Sequence, residues 1–122
     1  MITVIIQFEL PKGERTRYVI RRIAKAQPGK VWQVASLLTK ICAAYEEQGR
    51  SKAHVYVSQG LPGTPNVAYA EWNQATIEPN WLSKVPEVVR SLNAELQAQL
   101  DSYEIEFYEL VTPEKLIERG VS

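Results

Sequence analysis

The sequence has one cysteine, Cys42, and one histidine, His54. A single cysteine excludes an intrachain disulfide. A protein zinc site draws on about four Cys, His or carboxylate ligands, and these two residues do not form its usual spacing, so no metal is expected. Charge of either sign in excess is also missing: 14 Lys and Arg face 14 Asp and Glu. Without a basic surplus there is no general hold on a polyanion, and nucleic acid is not an expected partner. Long apolar runs are absent, since none approaches the roughly 20 residues of a membrane span. The opening MITVIIQFEL is apolar but alternates, and it lacks the basic leader and cleavage site of a signal peptide. A soluble, cytoplasmic protein is the expectation, with no membrane association. Phosphate-cradling patterns are missing too. The loop Gln59–Asn66, QGLPGTPN, holds two glycines but no GxGxxG, and no Lys-Ser or Lys-Thr follows a GxxxxG. No cofactor is expected.

What is present is one domain's worth of alternating and helical patterns over residues 1–122. The stretch around which the rest is organised is Tyr103–Leu110, YEIEFYEL. Tyr103, Ile105 and Phe107 share one side of a strand; Glu104, Glu106 and Tyr108 share the other. One side suits a core, and the other carries carboxylates and a phenol.

In chain order, residues 2–10 alternate and predict an added N-terminal strand, and Pro11–Glu14 reads as a turn. Residues 16–26 predict a second strand, because Val19 and Ile20 favour a pleated surface over a helix. After Gln27-Pro28-Gly29, the apolar stripe Val31, Val34, Ala35, Leu38, Ile41, Cys42 and Tyr45 predicts a helix over 30–48, stopped by Gly49. Cys42 on that stripe reads as a small buried apolar residue. Strands are predicted at 53–58 and 67–73. A second helix is expected after Asn80 or Ser83, with Pro86 in its first turn and Val85, Val88, Val89, Leu92, Leu96 and Leu100 as its stripe to about Asp101. A strand at 102–110 and a short helix at 113–119, capped by Thr112 and opened by Pro113, complete the chain.

The core order over 17–110 is β-α-β-β-α-β, a split pair of βαβ units with an extra N-terminal strand. It predicts an α+β, ferredoxin-like fold: a four-stranded antiparallel sheet with both helices on one face. The covered face is expected to hold Ala53, Val55, Val57, Ala68, Ala70, Ile105 and Phe107. The opposite face is expected to hold His54, Tyr56, Tyr69, Glu71, Glu104, Glu106 and Tyr108. Each parity of the 16–26 strand carries one arginine, so alternation does not choose between Arg21 and Arg22; Arg22 is placed in the candidate ligand-binding set with Glu71, Glu104, Glu106 and Tyr108. That face has two expected fates: Glu104 and Glu106 suit a solvent-facing sheet, and three tyrosines favour packing on a second copy, since Tyr combines large apolar area with a polar tip.

The element order, the phrase Gln27-Pro28-Gly29-Lys30 before the first helix, and Ala70-Glu71-Trp72 at the end of the third core strand resemble the dimeric α+β barrel superfamily, which includes antibiotic-biosynthesis monooxygenase-like and NIPSNAP-like proteins. That resemblance implies a homodimer whose two sheets close into a barrel. The superfamily spans cofactor-independent monooxygenases, haem-degrading enzymes, decarboxylases and domains without known activity, so the fold leaves the chemistry open. Its monooxygenase-like members use a Trp near the end of the third strand, and Trp72 is the position that matches. The candidate catalytic residues are His54, Tyr56, Tyr69 and Trp72. Two functions follow as expectations: a dimeric module binding a small aromatic or polar ligand, in the barrel or between sheet and helices, and a monooxygenase-like or isomerase-like enzyme.

Overall fold

The computed structural model describes residues 18–61, 63–75 and 85–121. The strand expected at 2–10, its following turn, and the connector with Asn80 and Ser83 lie outside the described residues.

Among the described residues, four strands form one antiparallel sheet: β1 (Tyr18–Ala26), β2 (His54–Val57), β3 (Val67–Gln74) and β4 (Leu100–Glu109). Their spatial order is β2-β3-β1-β4. Helix α1 (Val31–Glu46) joins β1 to β2, and α2 (Glu87–Gln97) joins β3 to β4. This is the ferredoxin-like arrangement expected from the element order, and it places β1 at the centre of the sheet.

The register decides which side chains share a face. Arg21 lies opposite Glu71 on β3 and Glu106 on β4; Ile20 lies opposite Trp72 and Phe107; Arg22 lies opposite Ala70 and Ile105. Odd-numbered residues of β1 therefore face one way, with Tyr69, Glu71, Glu104, Glu106 and Tyr108. Even-numbered ones face the helices, with Ala68, Ala70, Trp72, Tyr103 and Ile105. Ile20, Ala24, Ala68 and Ala70 are all but inaccessible. The small alanines in the middle of the sheet let the helices approach closely. Phe107 shares the covered parity but stays 40 % exposed, out towards the end of β4.

Helix α1 buries Val34, Ala35, Leu38, Ile41, Cys42 and Tyr45 of the stripe its spacing predicts, and Leu37 beside them, while Val31 is half-buried. It ends in a Schellman motif: the Gly49 N–H donates to the Glu46 carbonyl and the Arg50 N–H reaches back to the Tyr45 carbonyl. Gly49 makes this reversal at φ +104°, a conformation L side chains rarely adopt.

The second helix is shorter than its stripe suggests. Pro86 sits immediately before the first turn, where its carbonyl accepts from the Val89 N–H, and the helix stops at Gln97. Leu100, expected as its last apolar residue, instead begins β4 opposite Ala26. The i, i+4 spacing from Leu96 to Leu100 continues the helical stripe, but the sheet ladder offers those backbone groups partners that a frayed helix end lacks.

Helix α3 (Pro113–Glu118) buries no residue, and the Thr112 hydroxyl accepts from the Lys115 N–H as its cap. It is tied to β4 by Lys115 Nζ, 2.8 Å from Glu109 Oε2, with Arg119 at 3.6 Å from Glu109 Oε1. The bond to Lys115 holds the Glu109 carboxyl below its ordinary range, and the bond to Glu109 holds the Lys115 ammonium above its own. Glu109 therefore contributes above the unfolded carboxylate value and loses that contribution as pH falls through its depressed folded value. The Lys115 contribution is complete below the unfolded ammonium value and fades only as pH rises through the raised one. Acidification to about pH 3 is expected to release α3 alone, at least partly. Amide exchange, corrected for intrinsic rates, should show lost protection at Leu116 while the β1 amides stay protected. Unchanged protection at Leu116 would mean that the cap and not the ion pairs holds this helix.

Candidate functional site

The open face of the sheet gathers most of the expected residues. Both Nε and Nη2 of Arg21 donate to Glu71 Oε1, at 3.2 and 3.0 Å. The Arg21 guanidinium also lies 5.3 Å from the Tyr69 ring centre and 5.9 Å from that of Tyr108. Its hydrogen bond to Glu71 raises its pKa further above the ordinary arginine value. The Tyr108 hydroxyl donates to the Glu106 carboxylate, a bond that raises the phenol's pKa. On the neighbouring strand His54 lies opposite Glu71, and Tyr56 opposite Tyr69. Tyr56 and Tyr108 are about half exposed.

One member of the expected set is corrected by the register: Arg21, not Arg22, joins Glu71, Glu106 and Tyr108. The centre of β1 is covered by helices on its even parity, and that parity carries Arg22. Trp72 is likewise separated from His54, Tyr56 and Tyr69, because it projects from the other side of β3. On the open face Arg21 is paired with Glu71 and Tyr108 is bonded to Glu106, while Glu71, Glu104 and Glu106 together bring more negative charge than Arg21 offsets.

A different set of residues surrounds open volume. Between the helices and the covered face lies a cavity of about 360 Å³. β1 contributes Arg22, β3 contributes Ala70 and Trp72, and β4 contributes Tyr103. From α1 come Leu38, Ile41, Cys42 and Tyr45, and from α2 Val89, Arg90, Asn93 and Gln97; Arg50 follows α1 directly. Arg50 is there because of Gly49: the reversal after α1 turns the chain beneath the helix and delivers the side chain inward.

Arg50 is only 6 % exposed. Its guanidinium lies 3.9 Å from the Trp72 ring centre and 4.3 Å from that of Tyr45. Its Nε is buried without a hydrogen-bond partner. Burial lowers its pKa, and the positive charge of Arg22 acts in the same direction. Arg22 in turn lies 4.9 Å from the Tyr103 ring centre. Burial pushes the Tyr103 phenol up, with Arg22 opposing. Burial also pushes the Cys42 thiol up, which keeps it protonated and poorly nucleophilic at neutral pH, as its place on the apolar stripe suggests. The Trp72 indole N–H donates to Gln74 Oε1 at 2.6 Å.

Of the sequence candidates, Trp72 and Arg22 line this cavity. Arg50, Arg90, Asn93 and Gln97 were not foreseen. The available signals were a glycine helix stop followed at once by arginine, and polar residues at 90, 93 and 97 running beside the Val89–Leu96 stripe. Among the described residues, no three His, Cys, Asp or Glu side chains gather as a metal site would require. No described helix is long and apolar enough to cross a membrane.

No protein-family model and no curated protein sequence matches the chain. Solved structures do. A NIPSNAP family protein of Agrobacterium tumefaciens aligns over 80% of this chain and 94% of its own, with TM-score 0.60 and 16% identity. A candidate antibiotic biosynthesis monooxygenase of Chloroflexus aurantiacus aligns over 80% and 95%, with TM-score 0.61 and 15% identity. A Pseudomonas aeruginosa protein aligns over 80% and 96%, with TM-score 0.62 and 12% identity. At such identities the likeness is one of fold: the chain carries the ferredoxin-like α+β fold that these NIPSNAP and monooxygenase-like structures share.

Proposed function

We propose that the protein is a dimeric binding module that holds a small organic molecule between its helices and the covered face of its sheet. The observation that carries this reading is the cavity itself. It has a size typical of small-molecule sites, and apolar, aromatic and cationic side chains converge on it from three of the four strands and both long helices. On the open face, by contrast, Arg21 is paired with Glu71 and Tyr108 with Glu106. Native mass spectrometry of the protein as purified tests the reading, since it reports subunit count and retained mass together. A retained small molecule, or uptake of one on incubation with a metabolite mixture, supports it. A protein that retains nothing, and whose thermal stability no small molecule in a broad panel changes, overturns it.

The open face is the proposed dimer interface, which would close two sheets into a barrel. Tyr56, Tyr69 and Tyr108 supply amphipathic area there. Tyr108→Glu is expected to weaken the dimer at least about tenfold, because it sets another carboxylate beside Glu106 in a face that must lose water on association. Light scattering at low micromolar concentration checks this. A variant as dimeric as the parent would place the interface elsewhere.

Trp72 favours a second reading, a monooxygenase-like enzyme using the same cavity, because the matching tryptophan position lines it. Ligand-dependent oxygen consumption that Trp72→Phe abolishes would distinguish this enzyme from the binding module.

A further inference from the structure

We propose that the cavity's ligand is an organic acid, an apolar, ring-sized body bearing an oxyanion that Arg22, Arg50 and Arg90 receive. This rests on the reading of the cavity as a ligand site and names the chemistry of its occupant.

The charge inventory carries the inference. Among the described residues that line the cavity there are three guanidiniums and no carboxylate. A protein guanidinium does not lose its proton in any ordinary pH range, so the buried Arg50 keeps its charge inside the cavity wall. Arg50 is nearly inaccessible, and its Nε has no hydrogen-bond partner. Its two neighbouring rings, Tyr45 and Trp72, offer π faces but no negative charge. The Cys42 thiol and the Glu46 carboxylate compensate Arg50 in part, but Glu46 is shared: its Oε2 accepts from the Ala53 N–H at 2.8 Å and its Oε1 lies 4.0 Å from Lys52 Nζ. Arg22 rests on Tyr103 in the same way. A buried charge held largely by aromatic rings is costly, and the like charge of Arg22 adds to that cost for Arg50. An oxyanion entering the cavity would relieve both.

The contrast with the adjacent residue sharpens the point. Arg21, one position from Arg22, is paired with Glu71 on the open face. A chain that needed its arginines only as structural ion pairs has carboxylates available in plenty, 14 in all, yet none is found among the described residues of this wall. The planar guanidinium fork matches carboxylate and phosphate oxygens in pairs. Leu38, Ile41 and Val89 form an apolar part of the lining that suits the body of the ligand, beside the polar Asn93 and Gln97.

The test uses three probes that share one ring system: 1-naphthoate, 1-naphthyl phosphate and the uncharged 1-naphthamide. Calorimetric titration at constant ionic strength is run on the full chain and on Arg90→Gln and Arg22→Gln. Arg90 is exposed on α2, so its replacement should leave the fold intact. At least one anion is expected to bind about tenfold or more tighter than the amide, and each substitution is expected to erase about tenfold of that advantage, weakening the anion far more than the amide. The preferred anion then shows whether a carboxylate or a phosphate is the better fit. If the amide binds as well as both anions, the organic-acid proposal fails while the ligand cavity stands. If anion binding survives both substitutions, the anion sits elsewhere and the proposal fails. If none of the three binds, and the purified protein also retains no mass and responds to no compound panel, both the proposal and the ligand-site reading fail.

Discussion

Trp72→Ala is expected to destabilise the protein by about 3–5 kcal/mol, the range for truncating a buried large aromatic. Trp72 is 4 % exposed and lies opposite Ile20 at the centre of the sheet. Its removal subtracts apolar contact area, and the space left behind merges with a cavity that is already open. The sheet and α1 cannot collapse into that space without breaking the β1–β3 register, so relaxation recovers little. The substitution also removes the N–H that Gln74 Oε1 accepts and one of the two rings that flank the Arg50 guanidinium. Trp72→Phe keeps a ring for Arg50 but not the N–H, and a smaller loss of about 1–2 kcal/mol is expected. Urea unfolding followed by circular dichroism at one fixed protein concentration measures both. Since a domain of this size has total stability of about 5–15 kcal/mol, the alanine variant should remain folded in water with a much lower midpoint. A loss under about 1 kcal/mol would show that the cavity side of Trp72 makes few contacts and that its environment yields easily.

The faces of the sheet could be read in the sequence because strand alternation is local. YEIEFYEL states which of its residues look inward, and the β1–β4 register bears out the division of Tyr103 and Ile105 from Glu104, Glu106 and Tyr108. The α1 stripe was legible for the same reason. β1 was harder: Arg21 and Arg22 are adjacent, and either could have been the one facing the open side. The register of β1 with β3 and β4, which sets Arg21 against Glu71, 50 residues away, resolves it. The end of α2 was misleading because Leu100 satisfies a helical spacing and a strand register equally well, and the sheet won. The cavity was the least legible feature. Its arginines come from β1, from the turn after α1 and from α2, and what unites them is the approach of those elements in space. Periodicity describes one element at a time, so it finds Tyr45 or Leu96 readily and gives no sign that Arg50 meets Arg22.

Arg50→Met should separate folding from binding, because the two responses are expected to have opposite signs. Methionine keeps most of the stem's length and apolar contact while deleting the guanidinium. Two terms compete in the unliganded protein. The stack on Tyr45 and Trp72 is lost, worth about 2 kcal/mol where the cation is desolvated. Against this, a buried charge with an unpartnered Nε disappears, and the effective penalty for burying such a charge is several kcal/mol. The second term is the larger, so the variant should be as stable as the parent or more stable, by about 1–2 kcal/mol. An organic acid should bind it at least about tenfold more weakly, since a charge-assisted bond contributes about 1.5–3 kcal/mol. Urea unfolding and 1-naphthoate titration on the same preparation test the pair of signs. Lost binding with retained or increased stability would identify Arg50 as a residue kept for its ligand at the expense of the fold. A loss of stability greater than about 2 kcal/mol would mean that the aromatic stack already compensates the charge, and Arg50 would then belong to the architecture of the α1–β2 connection.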